Sequence, residues 1–154
     1  MIFVTVGTCE PFDRLMRAVD ALAIDEPVFV QTGLSRAIPR DRETVDFLPY
    51  ERLVELIREA RLVVTHAGVG TILTALLNGV QPVVVPRLKR YGDAVDDHQL
   101  ELAERLESLH LVRLVREAHD LESVVREGAG GATAIKVGGG LVGELRDFIA
   151  LQAT

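Results

Sequence analysis

Several things that many proteins contain are scarce or missing in this sequence. It has no tryptophan, and its single cysteine, Cys9, excludes an internal disulfide and fits a reducing compartment such as the cytosol. No apolar stretch approaches the roughly 20 residues that a membrane-spanning helix requires. The first residues, Met1 to Val4, lack the basic segment of a secretory signal, so none is expected. We therefore expect a soluble cytoplasmic chain, or one that another molecule holds at a membrane.

Basic residues are in the minority. The sequence contains 17 Lys and Arg against 23 Asp and Glu, a formal net charge of −6. General nucleic-acid binding depends on a basic surface and is not expected. The length of 154 residues and the hydrophobic fraction of 48% suffice for one core, so residues 1–154 are predicted to form a single domain.

Short apolar runs alternate with segments of helical period, which is typical of a parallel sheet covered by helices. The fold class is therefore predicted to be α/β, a Rossmann-like doubly wound parallel sheet. Strands are predicted at residues 2–6, 28–31, 44–47, 62–65, 83–85 and 111–115. Helices are predicted at residues 12–22, 50–60, 71–78, 97–108, 120–126 and 141–151, with a flexible glycine-rich connector at 128–140. The connector lacks the lysine and the spacing of a phosphate-binding P-loop.

Ligands of such a sheet bind beyond the carboxyl ends of its strands, and one loop there is rich in glycine. Residues 66–71, here called the glycine loop, have the sequence His-Ala-Gly-Val-Gly-Thr. Two glycines allow a ligand to approach the backbone, and the following helix offers free amides and a positive dipole, which suit a diphosphate. A tight turn without a ligand explains the spacing equally well. The third glycine of a dinucleotide fingerprint is missing, so NAD is not expected.

A second loop, residues 86–97, is called the basic loop. It begins with Arg87, Lys89 and Arg90, which could neutralise phosphate or contact anionic lipid. Asp96 is predicted to cap the next helix with Gln99 three residues further on, as in a capping box. His98 and Gln99 would then lie in the first turn, close to a bound anion or ribose. The side chains of Asp93, Asp96, Asp97 and His98 resemble a metal cluster, but a solvated helix start explains them better, and no metal site is expected.

A third loop follows the first strand and contains Cys9. The spacing from Cys9 to Arg14 is one residue short of a phosphatase loop, and no partner histidine is identifiable. An ordinary buried or inert thiol is therefore predicted.

These three loops, in this order, resemble the C-terminal, donor-binding domain of glycosyltransferase family 28, whose members have the two-domain GT-B fold. The resemblance covers residues 1 to about 110 and is nearest to split members, in which this domain is a separate polypeptide. Those are the small subunit of the eukaryotic dolichyl-diphosphate N-acetylglucosaminyltransferase and, above all, bacterial exopolysaccharide glycosyltransferase subunits of the PssE type. The matching segments are residues 2–8, 11–15, 66–72, 79–82, 85–87 and 97–103.

The resemblance implies a UDP-sugar as donor and no cofactor besides it. Thr74 stands where relatives usually carry a glutamate that binds the ribose. Catalytic residues are not identified. The implied donor-binding residues are Gly7, Thr8, His66, Ala67, Gly68, Gly70, Thr71, Thr74, Pro86, Arg87, His98, Gln99 and Glu101.

The resemblance also implies a partner, because GT-B enzymes react in the cleft between two domains. A membrane-anchored, acceptor-binding subunit would complete the enzyme and hold this chain at the cytoplasmic face of the membrane. The reaction would be the inverting transfer of a hexosyl or N-acetylhexosaminyl group to a lipid-diphosphate-linked acceptor, in polysaccharide or glycolipid synthesis. An alternative is a non-catalytic module that binds a nucleotide sugar for regulation or assembly.

Overall fold

The computed structural model describes residues 1–128 together with Gly143, Arg146 and Asp147. Within these residues the backbone forms one parallel sheet in the order β3-β2-β1-β4-β5-β6. The two central strands, β1 and β4, are buried along their whole length, as their continuous apolar sequences require. The strands are β1 (Ile2–Thr5), β2 (Val28–Gln31), β3 (Glu43–Val45), β4 (Leu62–Thr65), β5 (Val83–Val84) and β6 (Arg113–Leu114).

Helices cover both faces of the sheet. Val4 and Val64 point to one face of the sheet, where they pack with α1 and α5. Phe3 and Val63 point to the opposite face and pack with α2. On that second face α3 and α4 also pack against Val84. The doubly wound α/β prediction is therefore confirmed. The helices are α1 (Asp13–Asp20), α2 (Tyr50–Glu59), α3 (Val69–Leu77), α4 (His98–Ser108) and α5 (Leu121–Glu127), with 3-10 helices at Lys89–Tyr91 and Ala118–Asp120.

The predicted elements occur in the predicted order, with differences at their ends. β2 and β4 have the predicted bounds, while β5 and β6 are only two residues long. Gly79, with φ of 75°, has the left-handed conformation expected after α3. The predicted connector at 128–140 and helix at 141–151 lie outside the described residues, apart from the four that the structure includes. No helix in the described part of the chain is both long and apolar enough to cross a membrane.

Candidate functional site

Three loops meet at the carboxyl edge of the sheet. Strands β1, β4 and β5 are neighbours, and their register places Thr5 beside Thr65 and Thr65 beside Val84. Because the strands are parallel, the loops that follow them, at residues 7–12, 66–71 and 86–97, emerge at the same edge. The structure thus brings together the three loops that the sequence singled out, and this edge is the candidate site.

The imidazole of His66 lies at the centre of this edge, and it explains two of the glycines. Its side chain is buried, with 7% of the residue exposed. A Cβ atom at Gly68 would lie 2.1 Å from His66 Nε2, and one at Gly7 would lie 2.8 Å from the same atom. Gly7 and Gly68 are therefore required by the ring of the histidine. Neither a ligand nor a tight turn alone is needed to account for them.

Burial also determines the charge of His66. The low-polarity surroundings disfavour the imidazolium, and the nearby Arg87 adds repulsion, so the pKa of His66 falls from 6.5 to about 3. Nδ1 of the ring lies 3.4 Å from Thr65 Oγ1. At neutral pH the ring is uncharged, and it contributes no positive charge towards an anion.

Gly70 differs from Gly68 although only one residue separates them. A Cβ atom at Gly70 would meet no heavy atom of the described residues within 4 Å. The N-cap of α3, Gly68, makes no side-chain capping bond, and the first backbone bond into the helix is donated by Ile72 N to Gly68 O, at 3.1 Å. The amides of Val69, Gly70 and Thr71 precede that bond, so they have no partner within the helix and can donate to an anion.

Thr74 lies one turn further along α3. Only 8% of it is exposed, and its Oγ1 donates to Gly70 O at 2.8 Å. A hydroxyl that returns to the carbonyl four residues earlier is a common arrangement in helices. The structure therefore engages the Thr74 proton within α3, and a contact of Thr74 with a ribose stays a prediction.

Arg87 is the buried cation of the edge. It is 3% exposed; its Nη2 donates to Glu10 O at 2.8 Å, and its guanidinium lies 4.9 Å from the centre of the Phe12 ring. Burial lowers the pKa of Arg87, and the carboxylates of Glu10 and Asp93 oppose this shift. Its Nε is also buried and has no hydrogen-bond partner among the described residues.

The predicted capping box at the start of α4 is wrong. The N-cap is Asp97, not Asp96, and Gln99 does not return to the helix end. Asp97 Oδ1 accepts from Lys89 N at 2.9 Å, Asp96 Oδ1 accepts from His98 N at 3.1 Å, and Gln99 Oε1 accepts from the backbone N of residue 87 at 3.0 Å. The basic loop folds back onto the helix start, and its amides at residues 87 and 89 take the acceptors of Gln99 and Asp97, while Asp96 still accepts from the first amide of α4.

The other predicted residues are less central. The side chains of His98 and Glu101 are 70% and 69% exposed, with Nδ1 and Oε2 3.6 Å apart. None of their hydrogen bonds or ion pairs in the described part of the chain joins them to His66 or Arg87. Ala67 and Pro86 are buried, while Thr8 is exposed. The roles of these residues in donor binding stay predictions.

Cys9 is exposed, so of the predicted buried or inert thiol, the buried alternative is wrong. The loop after β1 projects from the sheet, and Phe12, not Cys9, turns into the core. Arg14 and Asp93 form an ion pair at this edge, at 2.8 Å. The sequence singled out Asp93 only within a metal-like cluster and Arg14 only for its spacing from Cys9, and it did not predict that they pair.

Comparison with known proteins shows which family this chain is similar to. The model of the glycosyltransferase family 28 C-terminal domain matches residues 1–135. The human UDP-N-acetylglucosamine transferase subunit ALG13 is 36% identical over 118 residues, which cover 68% of this chain and 10% of the human protein. The mouse protein of the same name is 35% identical over 117 residues, with the same coverage. The chain thus spans a small part of the length of these relatives.

Solved structures show the same fold. The glycotransferase of kitacinnamycin superposes with a TM-score of 0.57 at 22% identity, over 96% of this chain and 40% of that one. The glycosyltransferase SnogD from Streptomyces nogalater gives a TM-score of 0.60 at 22% identity, over 84% and 34%. The fold is accordingly the Rossmann-like C-terminal half of GT-B glycosyltransferases. With the family model matching most of its length, this chain belongs to the glycosyltransferase family 28 C-terminal domain family.

Proposed function

We propose that this chain binds a UDP-sugar at the carboxyl edge and serves as the donor-binding subunit of a two-component inverting glycosyltransferase. The observation that carries the proposal is the meeting of two kinds of anion-binding group at one edge. The free first-turn amides of α3 lie open at Gly70, and the buried guanidinium of Arg87 lies in the neighbouring loop. UDP-N-acetylglucosamine is the first candidate donor, because the relatives are named as its transferase subunits.

The chemistry that this edge offers is electrostatic. Amide dipoles and a desolvated guanidinium, held in place before the reaction, stabilise the negative charge that develops on a departing UDP. With a pKa of about 3, the imidazole of His66 is too weak a base to take the proton of the acceptor hydroxyl. We therefore assign activation of the acceptor hydroxyl to the second polypeptide.

The second polypeptide is proposed to be membrane-anchored and to bind a lipid-diphosphate-linked acceptor at the cytoplasmic face, in exopolysaccharide or glycolipid synthesis. The word "subunit" in the names of the relatives supports an assembly of this kind. The segments that resemble bacterial exopolysaccharide subunits support the same interpretation. No cofactor besides the donor and no metal ion is part of the proposal.

Donor binding is tested by calorimetry of the chain alone with UDP and UDP-N-acetylglucosamine, with GDP and NAD as competitors of different chemistry. Binding of the uridine nucleotides in preference to GDP and NAD is expected. An Arg87→Met variant, which keeps an unbranched side chain without the charge, should bind UDP more weakly. Binding of NAD without UDP would contradict the proposal.

Transfer is tested with a radiolabelled UDP-sugar and a lipid-diphosphate acceptor, with and without the acceptor-binding polypeptide. Product is expected only when both polypeptides are present. Robust turnover by this chain alone would overturn the two-component proposal.

One observation favours a second candidate, a non-catalytic nucleotide-sugar-binding module. Thr74 stands where related enzymes carry an acidic residue, and its hydroxyl is bonded within its own helix. A module of this kind would bind UDP and give no product with the partner, so the two assays together separate the candidates.

A further inference from the structure

Phe12 comes directly before α1, and Asp13 and Arg14 are its first two residues. The proposed function gives this segment no role. Arg14 nevertheless reaches the basic loop with two bonds. Its Nε donates to Asp93 Oδ2 at 2.8 Å, and its Nη2 donates to Pro86 O at 2.8 Å. The two side chains of the ion pair are largely buried, with 16% and 8% exposed. Such a charge-assisted, two-pronged contact has a defined geometry, which a lysine does not reproduce.

The carboxylate of Asp93 ties this contact to the backbone of the basic loop. The Oδ2 atom that accepts from Arg14 also accepts from Leu88 N at 3.2 Å, and Leu88 O accepts from Asp93 N at 3.2 Å. The turn from residue 88 to residue 93 is therefore closed around the carboxylate that Arg14 holds. The position of Leu88 in turn limits the position of Arg87, the residue before it.

Aromatic rings link the two guanidiniums. The Arg14 guanidinium lies 4.6 Å from the centre of the Tyr91 ring and 5.4 Å from that of Phe12, and the Arg87 guanidinium lies 4.9 Å from the same Phe12 ring. Phe12 is fully buried, so it offers both cations a fixed surface. Arg14 therefore contacts the basic loop through Pro86, Tyr91 and Asp93, and it shares a ring with Arg87.

We propose that Arg14 is a positioning residue that holds the basic loop, and with it Arg87, in the conformation that receives the donor diphosphate. That Arg14 holds the basic loop rests on contacts within the chain. That the held conformation receives the donor diphosphate rests on the proposed function. Arg14 itself need not touch the donor, because it acts through Asp93 and the backbone of the loop.

The first experiment measures UDP affinity by calorimetry for Arg14→Lys, Asp93→Asn and the double variant. Arg14→Lys keeps the charge but loses the planar guanidinium that makes two hydrogen bonds. It is expected to weaken UDP binding roughly tenfold, as for loss of a charged hydrogen bond. Asp93→Asn should have a similar effect. The double variant should bind UDP no more weakly than whichever single variant has the lower affinity, because the two residues act as a unit. Additive losses, or an unchanged affinity for UDP in Arg14→Lys, would overturn the proposal.

A matched control lies at the other end of α1. Asp20 Oδ1 accepts from Arg40 N at 2.8 Å, so Asp20→Ala also removes a polar contact between α1 and a loop. It is expected to lower the thermal midpoint while leaving UDP affinity within about twofold. If Asp20→Ala weakened UDP binding as much as Arg14→Lys, the effect would be general destabilisation and the positioning role would be wrong.

The second experiment needs no nucleotide. Amide hydrogen exchange in the unliganded chain should show faster exchange at Leu88 in Arg14→Lys, with Val64 in the central strand unchanged. An unchanged Leu88 amide would overturn the proposal. If the wild-type chain failed to bind UDP, the proposed function would fall, while exchange at Leu88 would still decide whether Arg14 holds the loop.

Discussion

The glycine loop and the basic loop form neighbouring parts of one edge, but different interactions hold them. In the glycine loop, the ring of His66 packs so closely against Gly7 and Gly68 that a Cβ atom at either glycine would lie within 3 Å of it. In the basic loop, the backbone is held by polar groups from elsewhere, above all the carboxylate of Asp93 and the amide of Gln99.

The difference predicts how each loop responds to change. Close packing admits no additional atom, because neighbouring groups cannot move apart without loss of contacts. A hydrogen-bonded loop accepts a substitution that keeps its donors and acceptors, and it loses little when one bond is removed. Changes beside the ring of His66 should therefore act first on stability, and changes in the basic loop first on ligand affinity.

The largest effect is expected for Gly68→Ala. The added methyl group would lie 2.1 Å from His66 Nε2, so the ring must move from its buried position. We expect the free energy of unfolding to fall by about 2 kcal/mol, as in other overpacked interiors. Urea denaturation measures this change. In a His66→Ala background the same substitution should cost much less, and an equal cost in both backgrounds would show that the ring is not the reason.

The pH dependence of stability tests the same packing. The pKa of His66 is about 3 in the folded chain against 6.5 as its ordinary value, so between these values the unfolded chain binds more protons. The contribution of the neutral His66 ring to the free energy of unfolding is complete above pH 6.5. It declines as the pH falls, by about 2 kcal/mol between pH 7 and pH 5. Urea midpoints across this interval should decline in the wild type and stay flatter in His66→Gln. The pKa values of Asp13 and Glu26 are also lowered, but these carboxyl groups change the free energy of unfolding only below this pH interval.

For the basic loop, a smaller effect on stability is expected from Gln99→Ala. The substitution removes the acceptor of the amide of residue 87, which should cost about 1 kcal/mol of unfolding free energy. UDP affinity should fall as well, because Arg87 is displaced. Gln99→Glu keeps an acceptor oxygen and is the matched control for stability, measured by the same denaturation, while the affinity of Gln99→Ala for UDP is measured by calorimetry. A loss in Gln99→Ala as large as that in Gly68→Ala would remove the distinction between the two loops.

Gly70→Ala should give the smallest change in stability and sharpens the comparison most. It introduces the same methyl group as Gly68→Ala, but into open space and within the first turn of α3. Alanine favours the helix, so stability should rise by about 0.5 kcal/mol. UDP binding should weaken, because the methyl group stands where a diphosphate would approach the amides. Thermal melts and calorimetry on the same samples check both parts, and an unchanged UDP affinity would place the ligand elsewhere.

The type and order of the elements followed from sequence alone. Buried parallel strands need continuous apolar, β-branched runs, and residues 28–31 and 62–65 supply them. Their short length and β-branched content distinguish them from buried helices. The same alternation predicts that the loops at 66–71 and 86–97 share an edge. Strand ends were less predictable. In β5 and β6 the length depends on which neighbours donate hydrogen bonds, and these strands pair over only two residues.

Only the tertiary structure decided which polar groups meet. Gln99 has the spacing of a local cap, yet it accepts from the amide of residue 87, and Arg14 pairs with Asp93, which lies 79 residues away along the chain. Rules for caps and turns describe groups a few residues apart, whereas these partners are set by the order β1-β4-β5 in the sheet. The burial of His66 has the same origin, because the ring is enclosed by glycines from two different strand ends. Sequence determined where a ligand edge would form, and packing between distant segments determined how that edge is held and charged.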